Sequence, residues 1–250
     1  MPAFARMTPK SRKGIWAELG IVLGLSLGAS AIYSILSLIA KLTSPAGLAG
    51  SKTVINQTAS DRVWLDVSYQ LADVLLGLAP VALVLYLGWQ NYGSQLKAAF
   101  GIATDLSWRK QSLRGLALAT AIGIPGLGLY LAARALGLSA QVVPTNQLPQ
   151  WWTLMLLVLF AAKAALTEEL IAIGYLCDRL AALGLAPRLI VVLSALLRAS
   201  YHLYQGFGGF VGNLAMGLVF GFVFLRLRNK VGSSGGALWP LIIAHFAIDV

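Results

Sequence analysis

The sequence predicts an all-α membrane protein, a polytopic transmembrane bundle of about seven spanning helices. Three observations carry this. Hydrophobic residues make up 58% of the 250 and charged residues 11%, whereas soluble domains carry about 25% charged. Apolar stretches of about 20 residues, enough to cross a bilayer, recur along nearly the whole chain. Lys and Arg gather in the short breaks between those stretches, the distribution that orients helices in a membrane.

The elements follow from the polar breaks. A basic tail, residues 1–14 with Arg6, Lys10, Arg12 and Lys13, precedes a first span at 15–40. Ala29-Ser30-Ala31 in that run is like a signal-peptidase site, but apolar residues continue to Ile39 and Ala40, so the helix is expected to be retained. Pro and Gly mark a loop at 43–50, and the segment 41–64, with Lys41, Lys52 and Arg62, carries no readable motif. Spans at 65–90 and 112–137 complete the N-terminal transmembrane part, residues 15–149, with Pro80 and Pro125 read as kinks. Residues 150–250 hold spans at 151–181, 187–205, 209–228 and 237–250, with a Gly-rich break at 232–236, and form the part that carries chemistry. Trp151, Trp152 and Trp239 suit the interfacial aromatic belt. Gly217 and Gly221 form a G-x-x-x-G suited to close helix packing.

If every run spans, four basic clusters fall on one side: the tail; Lys97, Arg109, Lys110 and Arg114; Arg179 and Arg188; Arg226, Arg228 and Lys230. The opposite loops, including SAQVVPTNQLPQ at 139–150, are poor in Lys and Arg. The expected placement is the cell membrane, with the N-terminus cytoplasmic and Val250 external. The formal net charge of +10 then reads as topology and attraction to anionic membrane lipids. No nucleic-acid partner is expected, because a basic patch with stacking aromatics is lacking. Cys177 is the only cysteine, which excludes an internal disulfide and a cysteine-based metal site.

An ionisable residue at a helix centre costs about 2.5–3.5 kcal/mol on insertion scales and normally faces a protein interior with a partner. Four places in the C-terminal part qualify: Glu168 with Glu169, Arg198 with His202, the polar stretch around Asn213, and His245 with Asp249. Arg198 and His202 are four apart, as are His245 and Asp249, and that spacing puts each pair on one helix face. Adjacent Glu168 and Glu169 point about 100° apart, so one can face a cavity while the other is held by a partner. A buried polar network that only fixes helix packing would also explain any one of these residues. As a set, two histidines and two glutamates are groups that hydrolysis uses, since a carboxylate beside a histidine can take a proton from water.

Glu168-Glu169 with Gly174-Tyr175-Leu176, then SALLRASYHLYQG from Ser194 to Gly206, then LWPLIIAHFAID from Leu238 to Asp249 resemble the three motifs of the CPBP family of membrane-embedded proteases, which are CAAX prenyl endopeptidase-like and bacteriocin-processing proteins. The resemblance covers about residues 150–250. It implies a glutamate that activates water, a second-motif histidine beside it and third-motif groups that hold the developing oxyanion. Carried over, Glu168 is the expected base, His202 its neighbour, and His245 and Asp249 the third-motif pair, with Glu169 in the same site. Two positions depart from E-E-x-x-x-R and F-x-x-x-H: Ile173 stands where the first motif has arginine, and Arg198 where the second has an aromatic. The expectation is that the arginine has moved between helices, so that Arg198 supports Glu169 in place of residue 173. Asp249 stands where Asn also occurs, and an ionised carboxylate repels an oxyanion, so Asp249 is expected to orient His245 or to remain protonated. His202 lies late in its span and the glutamates nearer the cytoplasmic end of theirs, a difference in depth that tilt or an indented helix must remove.

The leading reading is an intramembrane endopeptidase that hydrolyses a peptide bond of a membrane-associated peptide or protein substrate, near or in the bilayer, by glutamate-activated water. No cofactor is expected; a zinc-dependent variant would use Glu168, His202 and His245, although no H-E-x-x-H is present. The alternative is an inactive relative of the same fold that binds a membrane partner as an immunity or scaffold protein, which Ile173 favours. A small transporter would use the same carboxylates as a relay, but no inverted repeat is visible. Cys177, Tyr175, Tyr201 and Tyr204 read as packing, with Tyr201 and Gln205 as alternative substrate contacts.

Overall fold

The computed structural model describes residues 10–103, 107–146, 150–231 and 236–250, with backbone alone at 229–231. Arg6, the 232–235 part of the Gly-rich break and the Lys230 side chain therefore lie outside the described residues. Helix α1 (Arg12–Gly24) starts at Ser11, whose hydroxyl accepts from the Gly14 amide at 3.1 Å and so caps the helix. It bends by 53° into α2 (Leu27–Thr43), making the first expected span a broken one. After the single turn α3 (Gly47–Gly50), β1 (Lys52–Asn56) pairs in parallel with β2 (Gln141–Thr145), with Lys52 opposite Gln141 and Asn56 opposite Thr145. The segment without a readable motif thus supplies half of a two-stranded sheet; its Thr-Val-Ile run is β-branched, which suits a strand.

Helices α4 (Val63–Gly77), α5 (Ala79–Tyr92) and the short α6 (Leu96–Ala99) follow. Pro80 lies in the first turn of α5, where a missing N–H costs little, and marks the join of α4 and α5 inside the single apolar stretch Val63–Ala99. Helix α7 (Trp108–Ala135) continues through Pro125. Helix α8 (Thr153–Glu168), a π-helical segment (Glu169–Tyr175) and α9 (Leu176–Ala182) form one continuous helical stretch. Then come α10 (Pro187–Ser200), a 3-10 turn (Leu203–Gln205), α11 (Phe207–Val231) and α12 (Trp239–Asp249).

The helical bundle of the expected class is present, with a helix in each of the seven apolar runs, but the runs differ in reach. Among the described residues, Val63–Ala99, Trp108–Ala135 and Phe207–Arg228 are long and apolar enough to cross a membrane, and the α1–α2 pair makes a fourth if taken as one span. Helix α12 has 11 residues, about 16 Å at 1.5 Å per residue, roughly half of a bilayer core.

Loops meet at two levels. At one, the Phe207 amide donates to the Leu138 carbonyl at 2.9 Å and the Ala140 amide to the Gln205 carbonyl at 3.0 Å, beside the β1–β2 pair. At the other, the Leu238 amide donates to the Gly101 carbonyl at 2.9 Å and Trp239 Nε1 to the Ile102 carbonyl at 3.2 Å. The apolar core runs between these levels in two clusters, one joining Ile15 and Leu19 to Val84, Ile171, Tyr175 and Ile190, the other joining Ile173 to Phe220, Phe224, Leu238 and Leu241. Both clusters enclose the π-helical segment, so N-terminal helices pack directly on the C-terminal part.

Two arginines counted as loop charges are interior. Arg179 is 1% exposed and pairs with its neighbour Asp178 and, at 3.5 Å, with Glu18 of α1. Tyr92 donates to Asp178 at 2.7 Å, Tyr175 to Glu18 at 2.9 Å, and Lys10 pairs with Glu18. Arg228 is also buried, its guanidinium 5.6 Å from the centre of the Phe224 ring. The charge count misassigned both because partners distant in sequence, or an aromatic one turn away, let a guanidinium stay inside. A separate ion pair joins Lys163 of α8 to Asp73 of α4 at 2.5 Å.

Candidate active site

The site forms where the middle of the Thr153–Ala182 helical stretch meets the end of α10. Gly184, at φ +84°, closes the turn between α9 and α10, a conformation that other residues rarely adopt. The two helices then run antiparallel: Ser194 Oγ donates to the Ala172 carbonyl at 2.8 Å, Arg198 Nη2 to Glu169 Oε1 at 2.5 Å, and Tyr201 Oη to Glu168 Oε2 at 2.7 Å. This pairing brings the end of α10 level with the glutamates without an indented helix. Wider winding in a π-helix displaces backbone carbonyls, and such segments are frequent at functional sites; here the Ser194 hydroxyl satisfies one of them.

Helix α11 fixes α10 from behind. Gly217 and Gly221 face Ala195 and Val191, and an added Cβ at Gly217 would lie 2.8 Å from the Ala195 Cα. Phe220 places its ring under the Arg198 guanidinium at 5.3 Å. Helix α12 leans on α7, where Gly115 leaves room for Ile243 and the Pro240 carbonyl. That contact presents His245 to the glutamates.

Glu169 is fully buried, and its Oε1 receives both Arg198 Nη2 and, at 2.7 Å, His245 Nδ1. Its Oε2 is buried without a hydrogen-bond partner among the described residues. The Glu168 side chain is 14% exposed; its Oε2 accepts from Tyr201 and from Arg198 Nη1 at 3.3 Å, while no partner engages Oε1 among the described residues. His245 Nε2 lies 3.4 Å from Asp249 Oδ2 and 3.8 Å from Glu168 Oε2. The ring thus sits among three carboxylates, with its tight contact to Glu169.

His202 follows α10 and faces the Arg198 carbonyl with Nδ1 at 3.0 Å. A carbonyl only accepts, so Nδ1 carries hydrogen and Nε2 is left for other partners. Among the described residues His202 makes no direct hydrogen bond to either glutamate. Its ring lies between Tyr201, at 4.8 Å, and Tyr204, at 6.2 Å. Asn213 instead donates to the Gly209 carbonyl one turn back at 3.0 Å, a local bond that leaves it out of the cluster.

The structure therefore brings together Glu168, Glu169, Arg198, His245 and Asp249, with His202 at the edge. Ile173 is fully buried in the apolar cluster, so the place of the first-motif arginine is filled by hydrocarbon and the guanidinium comes from α10. Tyr201 is more than packing: its hydroxyl donates to Glu168. Phe220 and Ser194 were also missed, since an aromatic and a serine on apolar helices carry no distinctive sequence signal.

The zinc set does not fit. Among the described residues no three of His, Cys, Asp and Glu are grouped to hold a metal ion. The Arg198 guanidinium pairs with Glu168, the carboxylate of that set, where a cation would have to sit.

Comparison with known families agrees with the motif resemblance. Residues 149–250 match the family described as Rce1-like, type II CAAX prenyl endopeptidase, which supports a CPBP/CAAX-protease assignment for that part of the chain. No curated protein and no solved structure matches. The family is one of membrane proteases, and the apolar helices agree with a membrane protein.

Proposed function

We propose that the protein is an intramembrane endopeptidase in which Glu168 activates water. The observation that carries this reading is the contrast between adjacent carboxylates. Glu169 is enclosed and tied to Arg198 and His245, whereas Glu168 is partly open with Oε1 unengaged. A base must reach both its partner groups and water, and of the two adjacent glutamates Glu168 meets that condition.

In the proposed step, Glu168 takes a proton from water as the water oxygen attacks the peptide carbonyl carbon. The carbonyl π electrons move to oxygen, and His245 Nε2, held between Glu168 and Asp249, donates to the oxyanion. Glu168 then returns the proton to the amide nitrogen as the oxyanion electrons re-form the carbonyl and the C–N bond breaks, giving an amine and a carboxylic acid that passes its remaining proton to the amine or to water. His202 Nε2 accepts a hydrogen bond from the attacking water, and Tyr201 with Arg198 holds the Glu168 carboxylate in place. The chain uses no cofactor in this scheme. The substrate is a membrane-associated peptide or protein, and the family description makes a prenylated C-terminal peptide the first class to test. The reading includes a multi-pass placement in the cell membrane with the N-terminus cytoplasmic.

Purified wild type and Glu168→Gln, shown to insert and melt alike, should be compared on membrane-anchored peptides with and without a prenyl group. The expected result is cleavage by wild type and a loss of about 10²–10⁴-fold in the variant. Equal cleavage by both would remove Glu168 from the role. The second reading, a binding protein that does not cut, is favoured by the hydrocarbon at Ile173; binding of the same peptides without cleavage by wild type would establish it.

A further inference from the structure

The N-terminal half of the chain, outside the matched residues 149–250, also holds the turn after α10, and it does so at Tyr204. Both backbone polar groups of Tyr204 are held by side chains distant in sequence. Its amide donates to Ser34 Oγ of α2 at 2.6 Å, and its carbonyl accepts from Lys41 Nζ of α2 and from Thr53 Oγ1 of β1 at 3.1 Å. Lys41 also donates to Thr53 Oγ1 at 2.6 Å, closing the triangle. Ser34 and Thr53 are buried. Leu203 packs on Leu38, Leu48 and Ala140, and Gly206, at φ +102°, lies so close to Leu138 and Ser139 that an added Cβ would come within 2.8 Å of the Leu138 carbonyl oxygen.

The ring of Tyr204 connects this clamp to the site. It stacks on His202 with an interplanar angle of 25°, and the Lys41 ammonium lies 5.9 Å from its centre. Among the described residues the His202 ring has one hydrogen bond, to the Arg198 carbonyl, which fixes the hydrogen on Nδ1; its aromatic neighbours are Tyr201, at 4.8 Å, and the stacked Tyr204 ring.

We infer that Lys41, with Ser34 and Thr53, is a positioning residue for His202: it locks the Tyr204 peptide and, through the stacked Tyr204 ring, sets the direction of His202 Nε2. The catalytic consequence rests on the endopeptidase reading; the geometric one does not. A small misplacement of a reacting group from outside the chemistry can cost about 10²-fold in rate. Lys41→Met is expected to lower kcat by about that factor with KM little changed, and Lys41→Arg to restore most of it. In a His202→Ala background Lys41→Met should have no further effect.

A second readout does not need activity. The chain contains two histidines, so selective ¹⁵N-histidine labelling gives two sets of ring signals. Lys41→Met should move those of His202 and leave those of His245 in place. Unmoved His202 signals, or a further loss of activity in the His202→Ala background, would overturn the inference. Should Lys41→Met fail to fold, Thr53→Val and Ser34→Ala each remove one contact to Tyr204 and face the same two readouts. If wild type cleaves nothing, the endopeptidase reading fails while the histidine signals still decide the positioning.

Discussion

Arg198 shows how charge at one residue shapes the site. It is 1% exposed and serves both glutamates, so replacing it leaves Glu169 as a buried carboxylate without its cation. Breaking such a pair costs about 3–5 kcal/mol. Arg198→Met is expected to be strongly destabilised in thermal or denaturant unfolding of the detergent-solubilised protein, and adding Glu169→Gln should recover much of the loss. A stable single variant would show that the pair is not what keeps Glu169 charged inside. The need for a cation near Glu169 was legible in the sequence, because an unpaired carboxylate in an apolar helix is too costly and position 173 offers only Ile. The hydrogen bond from Tyr201 to Glu168 was not legible, since a tyrosine beside an interface has a ready packing explanation.

Among the elements, the antiparallel hairpin decides depth. The sequence placed His202 and the glutamates at different heights, because apolar runs were measured from their own ends. The contacts from Ala172 to Ser194 through Glu168 to Tyr201 measure height from the turn at Gly184 instead, and from there the two helices are level. The π-helical segment had no sequence signal, because its apolar residues are as compatible with ordinary α-helix. The G-x-x-x-G of α11 was read as packing, and its glycines face Ala195 and Val191. Its connection to chemistry lies in Phe220, one turn from Gly217 and beneath Arg198. Gly217→Leu should overpack this contact, at a cost of about 1–3 kcal/mol, and push α10 off α11. Cleavage should fall with stability, and Gly212→Leu, at a position where an added Cβ meets only Leu129 at 3.5 Å, should be milder in both assays. Equal effects would separate the G-x-x-x-G from the site.

For the whole molecule, the class and the region of the site were legible in composition and motifs, but the path of the chain across the bilayer was not. Runs of hydrophobic residues fix where helices form, whereas crossing depends on length and on breaks such as the 53° bend between α1 and α2. Helix α12 enters from the Gly101–Ile102 level and brings His245 and Asp249 to Glu169. The two loop levels make the remaining question one of sign. Exposed Lys52 of β1 belongs to the level of the Tyr204 turn, while exposed Lys97 of α6 is close in sequence to Gly101 at the opposite level. With the N-terminus cytoplasmic, Lys52→Cys should react with a membrane-impermeant maleimide in intact cells, and Lys97→Cys only after permeabilisation. The native Cys177 is 1% exposed and should contribute little background. The reverse pattern would invert the molecule and place the clamp on the cytoplasmic side. Labelling of both positions in intact cells would contradict two separated levels and, with them, the membrane reading of the bundle.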